Sequence, residues 1–313
     1  MEIIRQGDFI STPTAATIGM FDGVHCGHRF VVDFLKRTAR ENNLKSAVIT
    51  FSNHPQTVLH PDSEFKTIMS ISAKVKALEN TGIDYTILLD FSKQLSELTA
   101  KEFLRVIKEK YGVRLLLIGY DHRFGHNSTE TFSDYVEYGK EIGITVIQSP
   151  EYGPDALHIS SSAIRKQLAA GNIEVANSML GRPFTLSGKV VKGFQNGRKI
   201  GFPTANVDVD KNIILPKGGV YVATATLQSG EVRGGMLNIG RRPTFNNSCD
   251  ISIEINIFDF SEDIYDQQIS VSIYSRLRDE KKMDSISKLI DQLKEDEINI
   301  RKILKKNIIY ESH

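Results

Sequence analysis

Between residues 15 and 148, runs of strand length alternate with stretches whose apolar residues recur at helical spacing. Strands are expected at 15–20, 46–51, 85–90, 113–118 and 145–148. Helices are expected from His28 to Arg37 and over 72–80, 99–111 and 129–141. Such alternation predicts a parallel sheet with helices on both faces, and in that architecture ligands bind at the carboxyl ends of the strands. Near Gly181-Arg182-Pro183 the pattern changes to β, with strands expected over 188–191, 219–227, 232–239, 251–258 and 269–274. Short strands with glycine-rich turns predict a small closed barrel. From 284 to 304 the period is helical again, with Ile286, Leu289, Ile290, Leu293, Ile298 and Ile303 on or near one stripe that would cover the barrel. The 313 residues suffice for two domains, expected at 1–182 and 183–313.

The first expected strand runs into Gly19-Met20-Phe21-Asp22-Gly23-Val24-His25-Cys26-Gly27-His28, a turn at a helix N-terminus. Exposed first-turn amides and the positive end of the helix dipole attract phosphate there, and Gly23 and Gly27 allow close approach to the main chain. His25 and His28, three apart, share a face if both lie in the first helical turn. A polar turn with a helix cap is the structural alternative. Zinc is a weaker one, because Cys26 points away from the shared face and no fourth ligand is suitably spaced. The loops Phe51-Ser52-Asn53-His54-Pro55 and Gly119-Tyr120-Asp121-His122-Arg123-Phe124-Gly125 open at the same sheet edge, although either alone reads as a solvated turn. No Gly-x-Gly-x-x-Gly follows the first strand, which argues against a nicotinamide-type dinucleotide site. In Ser160-Ser161-Ser162-Ala163-Ile164-Arg165-Lys166 the serines can cap a helix beginning near Ser162. Arg165 and Lys166 then occupy its first turn, where a bound anion would offset their unfavourable interaction with the dipole.

In the second half, Gly193-Phe194-Gln195-Asn196-Gly197-Arg198-Lys199-Ile200-Gly201-Phe202-Pro203-Thr204-Ala205-Asn206 is glycine-rich and partly basic, but is neither a P-loop nor part of a protein-kinase signature set. A mobile hairpin is one reading. The other rests on Thr204 and Asn206, two apart on one side of an extended segment, whose hard oxygens suit Mg²⁺ bridging nucleotide phosphates. In the strictly alternating segment 251–257, Ile251, Ile253, Ile255 and Ile257 face the core while Ser252, Glu254 and Asn256 face the other way. Glu254 is then either a solvated strand residue or, near Thr204 and Asn206, the base for an alcohol attacking a γ-phosphate.

These strings, in order and in both halves, resemble the bacterial bifunctional riboflavin kinase/FMN adenylyltransferase family; Gly201-Phe202-Pro203-Thr204-Ala205-Asn206 is the most specific of them. The resemblance implies a Rossmann-like α/β nucleotidyltransferase domain with a parallel sheet, followed by a small antiparallel β-barrel with a C-terminal helix. It implies that the first domain transfers AMP from ATP to FMN, giving FAD and pyrophosphate. His25 and His28 would stabilise the ATP phosphates, Ser161, Ser162 and Arg165 would hold pyrophosphate, and Asn53, Pro55 and Asp121 would line the nucleotide and flavin site. Gly19, Phe21 and Gly23 would lie along the nucleotide. The barrel would phosphorylate riboflavin, with Thr204 and Asn206 holding Mg-ATP under a flap containing Gly193, Gly197 and Gly201, Glu254 as general base and Arg278 bordering the isoalloxazine. Flavin is thus substrate and product, with Mg²⁺ as the cofactor. The sequence departs from the family pattern at His122, His158, Ser162, Asn256 and Met283; His122 and Met283 remove bulk near the proposed flavin sites.

Two other readings compete: an adenylyltransferase whose barrel only binds flavin, which the presence of Glu254 disfavours, and a nucleic-acid-binding barrel. Balanced charge, 39 basic against 38 acidic residues, and the lack of Trp disfavour the second. No apolar run approaches the roughly 18 residues of a membrane span, no secretory core opens the chain, and Cys26 and Cys249 imply no disulfide framework, so a cytoplasmic protein is expected.

Overall fold

The computed structural model describes all residues except 121–123, 126–129, 154–158, 194, 244–248 and 309–313, together with the side chains of 241–243, 249–250 and 307–308. The chain divides into two compact units, Met1–Ser161 and Ser162–His313.

The first unit contains β1 (Glu2–Arg5), β2 (Thr14–Ile18), α1 (Cys26–Glu41), β3 (Lys45–Phe51), α2 (Pro55–Leu59), α3 (Ile71–Glu79), β4 (Tyr85–Leu89), α4 (Lys93–Ser96), α5 (Ala100–Tyr111), β5 (Val113–Ile118), α6 (Phe132–Ile142) and β6 (Thr145–Gln148). Its strands form one parallel sheet in the order β1-β4-β3-β2-β5-β6. Consecutive side chains of the central strands point to opposite faces, and each face has its own core. Ala15, Val48 and Leu117 pack with Val32 and Leu35 of α1 and Leu78 of α3, while Ala16, Ile49 and Leu116 pack with Phe103, Leu104 and Ile107 of α5. Local signals set the helix ends. Thr99 with Glu102 and Thr131 with Asp134 form capping boxes, and Gly112 and Gly143 end α5 and α6 in the left-handed conformation. The strand order reverses at β2, so its carboxyl end opens at a topological switch point, which is where such sheets bind ligands.

The second unit begins with α7 (Ser161–Ala170, the first residue belonging to the preceding unit) and α8 (Ile173–Leu180). These are followed by β7 (Phe184–Val191), α9 (Asn196–Lys199), β8 (Ala205–Val209), β9 (Gly219–Thr226), β10 (Val232–Pro243), β11 (Cys249–Ile257), β12 (Gln268–Arg278) and α10 (Ile286–Ile308). The strands close an antiparallel barrel in the order β10-β11-β8-β7-β12-β9. The composition changes at Arg182-Pro183, but the compact units part earlier because α7 and α8 pack on the barrel. The Asn177 amide donates to the carbonyls of Ile273 (2.9 Å) and Tyr274 (3.2 Å) and accepts from Phe184 N (2.7 Å), and Lys217 N donates to Leu168 O.

Two expectations of burial are corrected. On β11, Ile251 is exposed while Ser252 and Asn256 are buried: Ser252 Oγ donates to Gly240 O (3.5 Å), and Asn256 Nδ2 donates to Pro203 O (2.7 Å) in the segment leading into β8. On α10, Ile286 and Ile298 are exposed; Ile300 and Leu304 are the buried anchors, packing with Val220, Val222 and Met236 of β9 and β10.

That helix is also held by charge. Arg278 donates through Nε (3.1 and 3.0 Å) and Nη2 (2.6 Å) to Asp296, which is only 2% exposed and also accepts from Gln292 Nε2 (3.0 Å). Removing one partner of a buried pair leaves the other charge without compensation, which typically costs about 3–5 kcal/mol. Asp296→Ala is therefore expected to lower the stability of the second unit by about that amount in urea unfolding, and pairing it with Arg278→Met should recover most of the loss. A cost below about 1 kcal/mol for Asp296→Ala would show that the pair does not hold α10.

Candidate active sites

The turn between β2 and α1 is strained and buried. Phe21 (φ 50°), Gly23 (φ 85°) and Val24 (φ 40°) all lie in the left-handed region, and for the β-branched Val24 that is an unusual conformation. Glycine adopts this conformation freely, but for Phe21 and Val24 it costs roughly 1–3 kcal/mol each and persists only where the surroundings over-determine it. Asp22 supplies part of that constraint: its carboxylate accepts from Ile68 N (2.9 and 3.1 Å) and its carbonyl from Ser161 Oγ (2.8 Å). Gly19 closes the strand by donating to Ile49 O, and a side chain there would press on the Phe21 ring.

His25 is the N-cap of α1, and its Nδ1 accepts from His28 N (3.2 Å). An accepting Nδ1 places the ring proton on Nε2, making that atom the imidazole's donor. The His25 and His28 rings stack with centroids 3.5 Å apart, and Phe21 packs against His28 at 4.9 Å. Gly27 keeps the helix start open, since a Cβ there would meet His25 Nδ1 at 3.3 Å. The buried His25, the half-buried His28 and the amides of a first helical turn thus share one corner at the switch point, a donor set suited to an anion. Among the described residues no group of three or more His, Cys, Asp or Glu could hold a metal ion. Cys26 Sγ instead accepts from Arg29 Nη2 (3.3 Å).

The other expected residues of the first unit divide between scaffold and helix start. The Asn53 amide exchanges two hydrogen bonds of 2.8 Å with the main chain of Phe91, joining the ends of β3 and β4. Pro55 is the first residue of α2, capped by His54. Asp121 and the departures His122 and His158 lie outside the described residues. The α7 helix starts at Ser161, one residue before the expected start, and the Ser161 hydroxyl bonds the Asp22 carbonyl. Arg165 Nη2 donates to Ser162 Oγ (3.1 Å).

In the barrel, cross-strand register does what sequence separation hides. Glu254 on β11 pairs with Asn206 on β8 and with Asn238 on β10, and Thr204 Oγ1 donates to Glu254 Oε2 at 3.4 Å. Thr204, Asn206 and Glu254 therefore meet, although 48 residues separate the last two along the chain. The glycine-rich segment includes the single-turn α9 and folds against them. A Cβ on Gly193 would sit 2.3 Å from the Asn206 amide and displace that side chain, and one on Gly197 would sit 2.2 Å from the main-chain Phe202 O, where glycine alone fits. Gly201 (φ 84°) turns the chain into Pro203. Beside Thr204 opens a cleft of about 460 Å³ whose walls include Arg198, Pro203, Ile255, Phe260 and Tyr265. Arg278, expected beside this chemistry, has its guanidinium on Asp296 and the Asp279 carbonyl.

Lys74 did not emerge from the sequence as a functional candidate. It is 3% exposed, on the α3 stripe with Ile71 and Leu78, and burial lowers its pKa to about 8 although Asp22 opposes the shift. A lysine on an otherwise apolar helical stripe is the signal that could have found it. Asn256 was noted only as a departure; its bond to Pro203 O fixes the residue before Thr204.

Comparison with known proteins covers both halves of the chain. Residues 9–163 match the FAD synthetase family and residues 180–304 the riboflavin kinase family. The bifunctional riboflavin kinase/FMN adenylyltransferase of Haemophilus influenzae is 35% identical over 300 residues, covering 95% of this chain and 97% of that protein. The protein of the same name from Bacillus subtilis is 36% identical over 285 residues, 89% of each chain. A solved structure from Streptococcus pneumoniae, described as a macrolide-efflux protein, superposes with a TM-score of 0.86 at 32% identity, covering 96% of this chain and 99% of that one. No helix among the described residues is long and apolar enough to cross a membrane. With a histidine turn at a helix N-terminus on a parallel sheet, a Thr-Asn-Glu cluster in a closed barrel, and kinship along nearly its whole length, the chain belongs to the bifunctional riboflavin kinase/FMN adenylyltransferase family.

Proposed function

We propose that the chain makes both flavin cofactors: the barrel phosphorylates riboflavin to FMN with ATP, and the sheet unit adenylylates FMN to FAD with release of pyrophosphate. The observation that carries the reading is the convergence of Thr204, Asn206 and Glu254, an arrangement that a barrel built only to bind flavin does not need.

In the barrel, Glu254 takes the proton of the ribityl 5′-hydroxyl as that oxygen attacks the γ-phosphorus, and ADP leaves. The Thr204 hydroxyl, the Asn206 amide oxygen and the nearby carboxylate form a hard-oxygen set that fits Mg²⁺. Thr204 and Asn206 would hold the ion, which when bound neutralises phosphate charge. The flap of Gly193, Gly197 and Gly201 covers the nucleotide in the cleft beside Thr204. In the sheet unit an FMN phosphate oxygen attacks the α-phosphorus of ATP, and the bond to the departing pyrophosphate breaks. The first turn of α1, His25 and His28 stabilise the growing charge, with Gly19, Phe21 and Gly23 along the nucleotide. The family resemblance assigns Ser161, Ser162 and Arg165, at the start of α7, to pyrophosphate. Asn53 and Pro55 shape the flavin side by fixing the loop after β3, the family resemblance assigns Asp121 to the same site, and Arg278 serves the flavin pocket of the barrel by holding α10 in place. By this chemistry the division falls at 1–182 and 183–313.

Incubation of the purified chain with riboflavin and Mg-ATP, followed by chromatography, tests the proposal. FMN and then FAD should appear, and chelation of divalent cations should stop both steps. FAD from supplied FMN with no product from riboflavin would favour instead a single-activity adenylyltransferase with a non-catalytic barrel.

A further inference from the structure

A lysine with 3% exposure is rare unless its charge is compensated, and an apolar residue would complete the α3 stripe without desolvating an ammonium. The surroundings of Lys74 Nζ account for all three of its protons. It donates to Phe51 O at 2.7 Å, Met20 O at 3.1 Å and Thr50 Oγ1 at 3.2 Å. Phe51 is the last residue of β3, and Met20 immediately precedes Phe21, the first residue of the strained turn. Thr50 Oγ1 also donates to Met20 O (3.0 Å), so that carbonyl is held by two donors from different elements. Asp22, inside the turn, supplies the opposing charge while bonded to Ile68 N.

We infer that Lys74 is a positioning residue for adenylyl transfer: it ties the chain ends of β2 and β3 to one point and thereby locks turn 21–28 in the conformation that faces the phosphates. This rests on the adenylyltransferase reading above. Lys74 does not touch the reacting atoms. It acts through Met20 on Phe21, Val24 and His25, whose backbone geometry would relax if its restraints were removed.

The test uses the full chain with Lys74→Met, Thr50→Val and the double variant, measuring FAD and pyrophosphate formation from FMN and Mg-ATP. Folding of the first unit is followed by hydrogen exchange of the sheet, and rates are expressed per folded molecule. Lys74→Met is expected to lower kcat at least tenfold while KM for ATP changes less than threefold, and riboflavin phosphorylation by the same preparation should stay within twofold. Thr50→Val should lower kcat a few-fold. The double variant should fall short of the product of the two single effects, because both residues hold the same carbonyl. An unchanged kcat in Lys74→Met, a loss carried entirely by KM, or strictly multiplicative effects would overturn the inference. If Lys74→Met does not fold, Thr50→Val decides alone, and an unaltered kcat there refutes the inference. Absence of FAD from the wild-type chain removes both this inference and the functional reading, whereas equal FAD from wild type and variants removes only this one.

Discussion

Glu254→Gln is expected to reduce riboflavin phosphorylation by roughly 10²–10⁴-fold while leaving FAD formation from supplied FMN within twofold of the wild-type rate. Glutamine keeps the shape of the side chain and an oxygen that can accept from Thr204 Oγ1, so the register of β11 with β8 is preserved and the loss reports chemistry rather than folding. What the amide lacks is basicity. The ribityl hydroxyl must then lose its proton to water at a site where the Thr-Asn pair still binds the nucleotide, so the fall should lie in kcat, with KM for ATP nearly unchanged. Initial rates for FMN in one reaction and FAD in another, on a single preparation, make each activity the control for the other. A kinase rate within threefold of wild type would remove Glu254 from the base role, leaving the cluster as a nucleotide clamp.

The parts legible in the sequence were those in which one short segment carries both the pattern and the chemistry. Strand-helix alternation gave the sheet, and the run from Gly19 to His28 gave the turn, because a strand end, a helix start and two imidazoles are contiguous there. The Thr-x-Asn spacing and the β11 alternation suggested the barrel cluster. Bringing Glu254 against Asn206 depends on barrel closure and register, which the local pattern does not encode. Lys74 was hidden for a related reason: its value comes from three oxygens on segments 23 to 54 residues away, and its own helix shows only a lysine among apolar neighbours. Arg278 has a partner that its own strand does not reveal: its guanidinium is held by Asp296 on α10, a charge that the helical period places among apolar positions. The alternation in β11 set Ser252, Glu254 and Asn256 opposite the core, but strand alternation in isolation cannot see the segment before β8 whose Pro203 carbonyl binds Asn256.

His28→Ala should produce the complementary phenotype, a chain that accumulates FMN. The ring of His28 does two jobs that alanine cannot. It presents an imidazole at the start of α1, and through its 3.5 Å stack it holds the His25 ring, whose Nδ1 accepts from the His28 amide. The backbone bond from His28 N to His25 survives the substitution, so α1 keeps its cap and little stability should be lost. On the proposed role the substitution removes a donor to the ATP phosphates, and removal of one such preorganised donor commonly costs 10²–10³ in kcat, or about 2.7–4 kcal/mol of transition-state stabilisation. A loss of that size is expected in FAD and pyrophosphate formation, while FMN formation from riboflavin continues at the wild-type rate, because Glu254, Thr204 and Asn206 belong to the other compact unit. Progress curves from riboflavin should then plateau at FMN, whereas those of Glu254→Gln should barely leave riboflavin, and mixing the two variants should restore FAD through FMN released by one and used by the other. If His28→Ala made FAD as fast as wild type, the stacked histidines would be a structural cap and the phosphate-handling role would pass to the amides of α1 alone.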